Sequence, residues 1–463
     1  MRKSKTISLR DYIFDSVRNA TKSSFFRGTS TLIAYTVAGQ LFTALFSLVL
    51  TRLYNPTQFG LYGLMFSYVN ITGVLICLNF NFAVPAPTRE SDAVAIMFGS
   101  ALISLGMSVI LSITFLALIL SGYFGYSVLQ PWTVLPMFLL LTVTGLMTTI
   151  QYWCVRKQEL SVLGEAVLLQ NIVRGGVQGL LGVLFPGWID LVVGEIAGRF
   201  CQFGHYLRGS LAELWQLRRG ISLRDIITAL LRYRRFASVL LLPGFLDAVW
   251  RTLPIPLLNA IFGLSTTGQF YLMSRVLDLP LAFISRTVAD AFYAKISQYA
   301  RTDPTRIKHM LVLVFVTLTS LSGLVLFPLV IFGPTIFGWF FGARWREAGM
   351  YAALMIPGAV LQIGTSPVTR VFALTRRAHL RYAFTLIQVL GGTSVFLLVW
   401  LNHLGAIFTV AGLSTVNVVA YSVYFVSAYF AAEDIDPDGG IIGRSETAVN
   451  SNNLEEITVE SHQ

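Results

Sequence analysis

Long runs of apolar residues, separated by short polar segments, recur along the whole chain. Folded as a helix, roughly 20 such residues span the ~30 Å hydrocarbon core of a bilayer. The runs are continuous, whereas a membrane β-barrel would alternate apolar and polar residues with a period of two. The pattern therefore predicts an all-α polytopic membrane protein with about twelve transmembrane helices. The predicted spans are residues 30–51, 61–83, 93–120, 132–152, 162–184, 189–207, 236–258, 268–292, 309–331, 348–370, 382–401 and 404–430.

The composition supports a membrane protein. The 463 residues are 55% hydrophobic and 12% charged, with a mean hydropathy of +0.67, whereas soluble domains carry about 25% charged residues. The net charge is +11, but a basic face for nucleic acid needs a soluble domain to carry it, and the pattern predicts none. We therefore expect membrane lipids and no nucleic acid as partners. No signal peptide is predicted, because the basic first 27 residues lack a cleavage site after a short apolar core.

Lysine and arginine residues are distributed unevenly between the two sides of the predicted spans. Of the 34, 25 fall in the termini and loops of one side, 3 fall on the other side and 6 lie within spans. Basic residues are retained on the cytoplasmic side of a membrane. Both termini are therefore predicted to be cytoplasmic.

A long polar connection divides the predicted spans into two groups of six. Its sequence, RGSLAELWQLRRGISLRDIITALLRYRR, places apolar residues at roughly helical spacing among arginines, which favours a helix lying on the membrane surface. The alternative is a solvated linker whose arginines only set the topology. The predicted organisation is a basic cytoplasmic segment at 1–29, a six-helix bundle at 30–207, the amphipathic connection at 208–235, a second six-helix bundle at 236–430 and a disordered acidic tail at 431–463.

The two predicted bundles share a short sequence pattern. NPTQFGLYGLMF follows span one and GLSTTGQFYLMS follows span seven, and each places a turn, a glycine (Gly60 or Gly268) and aromatic residues at the start of the next helix. Parallel repeats of this kind occur in some transporters. The pattern favours two similar bundles around a central cavity.

The sequence predicts no metal centre, cofactor or catalytic residue. The three cysteines (Cys77, Cys154 and Cys201) have no paired spacing, and the five histidines are scattered singly. They indicate neither a disulfide framework nor a zinc site. An enzyme acting on glycans would also need acid and base groups on the outer face, where the sequence offers only Asp190 and Glu347.

Charged residues occur inside several predicted spans, where an ionised side chain costs about 2.5–3.5 kcal/mol on insertion scales. In span seven, Asp247 and Arg251 are four residues apart, so they share one helical face and can neutralise each other. Two leucines at these positions would have no insertion cost. Mutual neutralisation therefore explains why the charges are tolerated, but it does not explain why they are present. Similar pairs are Glu195 with Arg199, Arg275 with Asp278 and Arg286 with Asp290, while Arg174 has no acidic neighbour on its own helix.

Two interpretations of these charges remain open. They could be salt bridges that hold helices in register, or they could line a shared water-filled cavity. The second is favoured because the charges gather in spans five to eight. Arginines outnumber acidic residues there, which suits an anionic ligand, since guanidinium groups bind phosphate through two parallel hydrogen bonds. The candidate substrate-binding residues are Arg174, Arg199, Arg251, Arg275, Glu195, Asp247 and Asp278.

The segment SLVLTRLYNPTQFGLYGLMFSYVNITGVLICLNFNFAVPAP resembles the first two helices of Wzx-type polysaccharide-export flippases, within the MATE/flippase (MOP) superfamily. The matching residues are Leu50, Arg52, Tyr54, Pro56, Phe59, Gly60 and Tyr62. A second match comprises Gly268, Phe270, Tyr271, Arg275, Val276, Leu277 and Pro280. The chain departs from the family where it reads LNFNFAVPAP, because many relatives carry a basic and acidic pair at the positions of Asn79 and Asn81.

The resemblance implies a function. Members turn oligosaccharide repeat units, linked by pyrophosphate to a polyprenol, from the inner to the outer leaflet of the bacterial cell membrane for surface polysaccharide export. Two bundles rocking about the midplane would give alternating access. Polysaccharide polymerases and glycosyltransferases are the expected partners, and coupling to H⁺ or Na⁺ is left open. The alternatives are an ion-coupled drug or metabolite antiporter of the same superfamily and, with less support, a polytopic glycan polymerase or glycosyltransferase.

Overall fold

Helices account for nearly all of the chain that the computed structural model describes, which comprises residues 24–218, 220–302, 305–373, 375 and 381–433. No β-strand forms within these ranges, and the predicted all-α class is confirmed. The helices are α1 Ser24–Leu53, α2 Pro56–Thr72, α3 Glu90–Ser121, α4 Val134–Arg156, α5 Leu160–Leu184, α6 Trp188–Arg218, α7 Leu223–Arg232, α8 Arg234–Thr252, α9 Pro254–Phe262, α10 Leu264–Thr302, α11 Thr305–Phe340, α12 Arg346–Thr365, α13 Arg381–Leu401 and α14 Ala406–Ala431. The predicted segments at 1–29 and 431–463 lie largely outside the described residues.

Nine segments of the described chain are long and apolar enough to cross a membrane. Three further helices coincide with the remaining predicted spans. Of these, α2 has only 17 residues, while α6 and α10 carry the charged residues that lower their hydropathy. The chain is thus a multi-pass membrane protein, in agreement with about twelve predicted spans.

The chain divides into two units, Met1–Pro256 and Leu257–Gln463. In the first unit α5 packs between α1 and α6, and α4 packs against both α3 and α6. In the second unit α12 packs between α11 and α14, and α13 packs against α14. The predicted domain bounds and the central cavity stay predictions.

The second predicted span, 61–83, is a regular helix only in its first part. Helix α2 begins with a capping box, in which Asn55 and Gln58 each accept a hydrogen bond from the other's backbone N–H. It ends at Thr72, and Leu78 and Asn79 then have positive φ angles of 46° and 61°. A right-handed helix cannot continue through such angles, so the prediction of one continuous helix is wrong here.

Helix α11 extends beyond its predicted end at residue 331, through Pro334 to Phe340. The predicted spans 309–331 and 348–370 left residues 332–347 as a loop. Close packing explains the difference: a Cβ atom on Gly333 would lie 2.4 Å from the carbonyl oxygen of Gly349 in α12. Small residues at a helix contact allow the backbones to approach this closely.

The predicted surface helix at 208–235 is divided in the structure. Its first part belongs to α6, which continues to Arg218 and buries Leu214 in the apolar core of the first unit. The second part forms the separate helix α7, which starts with a capping box between Ser222 and Asp225. Helix α8 begins at Arg234, with a single residue between it and the end of α7.

Candidate functional site

Three charged side chains from two adjacent helices meet inside the first unit. Arg174 of α5 places its Nη1 atom 3.6 Å from Oε2 of Glu195 in α6. Arg199, one turn along α6, places Nε 3.0 Å from the other carboxylate oxygen of Glu195. The i, i+4 pair expected on α6 is therefore formed, and Arg174 has a carboxylate partner on the neighbouring helix. We call these three residues the charge cluster.

Polar groups from α1 and α5 hold Arg174 in place. Its Nη2 atom donates to the hydroxyl of Thr43 at 2.9 Å and to the side-chain oxygen of Asn171 at 2.7 Å. The Thr43 hydroxyl in turn donates to the same Asn171 oxygen at 3.1 Å. The guanidinium is thus oriented by two hydrogen-bonding side chains as well as by its carboxylate.

The other side of the charge cluster is formed by α2 and α4. The Tyr62 hydroxyl donates to Oε2 of Glu195 at 3.2 Å, and Arg199 Nη1 donates to the Thr144 hydroxyl. The Arg199 guanidinium also lies over the ring of Phe66, 5.4 Å from the ring centroid, a favourable cation–π arrangement. Five helices of the first unit therefore contribute to one site.

The charge cluster is deeply placed. The side chain of Glu195 is 1% exposed, whereas Arg174 and Arg199 keep 16% and 11% of their side-chain surface accessible. Arg174 lies ten residues before the end of α5, roughly 15 Å along the helix axis, and so near the middle of this 25-residue helix. The formal charge of the three residues is +1, carried by the two partly accessible guanidinium groups.

The two guanidinium groups retain N–H donors that no described residue accepts. Arg174 Nε and Arg199 Nη2 have no hydrogen-bond partner among the described residues. Both side chains are partly accessible, so water or a ligand can reach these donors. An anion with several oxygen acceptors fits this donor set.

Two glycines of α6 allow the charge cluster to form. A Cβ atom on Gly198 would lie 2.8 Å from the carbonyl oxygen of Gln170 and 2.9 Å from Cβ of Arg174. One on Gly194 would lie 2.3 Å from Cγ of Gln178. The two positions form a G-x-x-x-G pattern, which lets two helices pack with their backbones close together. Larger residues would separate α5 from α6 and draw Arg174 away from Glu195.

Four other predicted site residues lie elsewhere. Asp247 and Arg251 are both exposed on α8, and in the part of the chain that the structure describes no ion pair joins them. Arg275 and Asp278 belong to α10 in the second unit, where Arg275 is half-buried and Asp278 is exposed. The self-neutralising pair expected on span seven is therefore not formed, and both charges are exposed.

The residues of the two sequence matches lie on α1, α2 and α10. Arg52 is exposed in the last turn of α1, and Gly60 is buried in the second turn of α2. Gly268 is buried near the start of α10, and Pro280 lies within that helix, where its side chain is not among those described. None of these four is part of the charge cluster.

Sequence reasoning missed the neutral members of the site, which are Thr43, Tyr62, Thr144 and Asn171. Tyr62 stood within the first family match but was not connected with a charge. The sequence did contain one signal for the contact between Arg174 and Glu195. The Gly194–Gly198 spacing beside Glu195 indicates that another helix packs closely there, and Arg174 is the charged residue in the middle of the preceding span.

The fold is shared with solved membrane transporters. The structure of "Lipid II flippase MurJ, inward closed conformation" aligns with a TM-score of 0.62 at 14% identity, over 88% of this chain and 88% of that chain. An outward-facing multidrug resistance MATE family transporter of the MOP superfamily aligns with a TM-score of 0.55 at 12% identity, over 94% and 99%. A MOP superfamily transporter from Pyrococcus furiosus aligns with a TM-score of 0.52 at 13% identity, over 94% and 99%.

These likenesses define the chain's class as a membrane protein with the fold of MOP-superfamily transporters. No curated protein matches the sequence. The family described as "Polysaccharide biosynthesis protein" matches residues 49–349, which is well over half of the chain. The chain belongs to that family.

Proposed function

We propose that this protein is a flippase for lipid-linked oligosaccharides, and that the charge cluster binds the pyrophosphate of its substrate. The substrate is an oligosaccharide repeat unit joined by pyrophosphate to a polyprenol, carried from the inner to the outer leaflet of the bacterial cell membrane for surface polysaccharide export. Sugars and pyrophosphate cannot cross ~30 Å of hydrocarbon unaided. Family membership supports the polysaccharide role, and the excess of guanidinium over carboxylate supports the anionic substrate.

The proposal depends on one observation: the charge cluster contains two arginines and one glutamate. A salt bridge that only joined two helices would need one arginine for Glu195, yet two arginines contact it. A second buried cation adds cost in a membrane unless an anion balances it during function. The unused Arg174 Nε and Arg199 Nη2 donors suit phosphate oxygens, which guanidinium groups bind in a planar, two-pronged geometry.

The rest of the transport cycle follows from the same proposal. Both termini are cytoplasmic, and two six-helix bundles alternate in opening a central cavity to each side. Arg251, Arg275, Asp247 and Asp278 contribute further charges to that cavity, and the carboxylates among them are the candidate sites for H⁺ or Na⁺ coupling. Glycosyltransferases act before this step and polysaccharide polymerases act after it. The chain itself performs no covalent chemistry.

The test is a flipping assay in proteoliposomes with a fluorescent lipid-linked oligosaccharide, in which a membrane-impermeant quencher reports the outer leaflet. Arg174→Gln and Arg199→Gln should each lower the flipping rate at least tenfold. Arg208→Gln is the matched control, because Arg208 is an exposed arginine of the same helix α6 and should leave the rate unchanged. Wild-type flipping by both cluster variants would refute the assignment of the site.

An ion-coupled drug or metabolite antiporter is the second candidate, and the fold likeness to a multidrug resistance MATE transporter favours it. The two functions differ in the charge they require, since a cluster of charge +1 repels cationic drugs. Drug uptake into inverted vesicles, where the cytoplasmic face is outside, separates the two functions when it is measured with and without Arg174→Gln. Efflux that depends on Arg174, with no flipping of lipid-linked oligosaccharide, would select the antiporter.

A further inference from the structure

Helix α7, in the connection between α6 and α8, has an exposed apolar stripe. Leu223, Ile227 and Leu231 follow one another at intervals of four residues, and they are 71%, 58% and 60% exposed. Residues four apart lie on one face of a helix. Three large aliphatic side chains on one face would be an unfavourable surface to leave in water.

The face of α7 directly beside this stripe is packed against protein. Ile226 and Leu230 pack over Gly99 of α3, where a Cβ atom would lie 3.0 Å and 2.9 Å from their side chains, and Ala229 is 5% exposed. Arg232 forms an ion pair with Asp92 near the start of α3, at 3.3 Å. Helix α7 is therefore fixed against a membrane-crossing helix, close to the end at which that helix begins.

The remaining face of α7 is polar. Arg224 and Thr228 are exposed next to the apolar stripe, and Asp225, the single acidic residue of the helix, is engaged in its N-terminal cap. The helix thus has three faces: one packed on α3, one apolar and exposed, and one polar. A helix at a membrane surface requires this arrangement, because its environment is protein on one side, lipid below and water above.

Basic and aromatic residues surround the exposed stripe. Arg224, Arg232 and Arg234 are exposed, and a further arginine, Arg218, lies 5.7 Å from the ring centroid of Trp215. Trp215 is itself 58% exposed at the end of α6. Arginines are attracted to anionic headgroups, and tryptophan is enriched at the boundary between headgroups and acyl chains.

We propose that α7 is an in-plane membrane anchor whose stripe of Leu223, Ile227 and Leu231 enters an anionic phospholipid leaflet. The arginines bind the headgroup phosphates while the three aliphatic side chains reach the start of the acyl chains. The occupant of the apolar face is therefore lipid and not a protein. This inference is independent of the proposed transport activity, since it concerns a different surface.

The test uses the full-length protein in lipid nanodiscs, with an environment-sensitive fluorophore on one introduced cysteine. Cys77 and Cys154 are buried, and only Cys201 is partly accessible, so Cys201→Ser provides a background with low labelling. Ile227→Cys reports the stripe. Thr228→Cys, the adjacent exposed position on the polar face, is the matched control. Gel filtration of both labelled variants verifies that they are folded.

At Ile227 we expect blue-shifted emission, strong quenching by spin-labelled lipid and several-fold weaker quenching by iodide than at Thr228. Adding phosphatidylglycerol to phosphatidylcholine nanodiscs should increase the lipid quenching at Ile227. Equal iodide quenching at the two sites would overturn the proposal. Protection of Ile227 from both iodide and lipid quenchers would indicate a protein partner or a second copy and would overturn it as well, and insensitivity to phosphatidylglycerol would refute the anionic preference.

Discussion

The contact between α5 and α6 at Gly198 makes a sharp prediction, because the cost of a single added methyl group can be estimated from the structure. In Gly198→Ala the new Cβ would lie 2.8 Å from the Gln170 carbonyl oxygen and 2.9 Å from Cβ of Arg174. Both distances are shorter than ordinary van der Waals contact. The first neighbour is backbone, so relief requires the two helices to separate. Overpacking of this kind costs about 1–3 kcal/mol.

The same substitution also has a favourable effect, since alanine is a better helix former than glycine by about 1 kcal/mol. Gly176→Ala isolates that effect, because a Cβ atom on Gly176 of α5 would meet nothing within 4 Å. We therefore expect Gly176→Ala to raise the unfolding midpoint slightly and Gly198→Ala to lower it. The difference between the two should be about 1–3 kcal/mol in unfolding free energy.

The assay is denaturant unfolding of the purified protein in detergent, followed by intrinsic fluorescence. Gly198→Ala should also lower the flipping rate, since separation of α5 from α6 lengthens the contact between Arg174 and Glu195. Gly176→Ala should leave flipping unchanged. Equal unfolding midpoints for the two variants would refute the claim that close helix packing at Gly198 builds the site.

Four further outcomes follow from the contacts described above. Glu195→Gln should lower the unfolding free energy by about 3–5 kcal/mol, because it leaves two buried guanidinium groups without their carboxylate. The decrease should be smaller when Arg174→Gln is already present, and equal decreases in the two backgrounds would show that the two residues are not coupled. Tyr62→Phe removes one hydrogen bond to a charged acceptor and should lower the unfolding free energy by about 1.5–3 kcal/mol, so an unchanged midpoint would contradict this contact. Ser222→Ala should cost α7 about 1 kcal/mol, measured as faster hydrogen exchange over residues 223–232, and unchanged exchange would count against the cap. Hydrogen bonds from the Ser222 hydroxyl and, to a smaller extent, from its backbone N–H lower the pKa of Asp225 in the folded protein. The cap should therefore be fully formed above the ordinary aspartate pKa of about 4 and be lost as the pH falls through the lower folded pKa. Loss of the cap at neutral pH would contradict this direction.

The architecture could be predicted from the sequence because each membrane-spanning helix must satisfy its own backbone, and long apolar runs therefore identify helices one at a time. The charged spans α6 and α10 were recognised in the same way despite their lower hydropathy. Helix ends were less predictable. Helix α11 continues past the close contact between Gly333 and Gly349, which joins two segments that no local pattern connects.

The same distinction applies to the candidate site. The pairing of Glu195 with Arg199 is local and could be predicted from helical spacing. The pairing of Arg174 with Glu195 joins two helices, and spacing along one helix cannot reveal it. For Asp247 and Arg251 the spacing was right but the pair is not formed, because i, i+4 spacing only permits a contact and the surroundings decide whether it is made.

The length of α6 has a mechanical consequence. The helix runs without proline from Trp188 to Arg218, so the 24 residues from Glu195 to Arg218 form a single rod of about 35 Å. A rod of that length converts a 5° change in tilt at the arginines into a displacement of about 3 Å where α7 begins. A change of tilt at the charge cluster would therefore move the far end of α6, and with it the start of α7, without any unwinding of the helix between them.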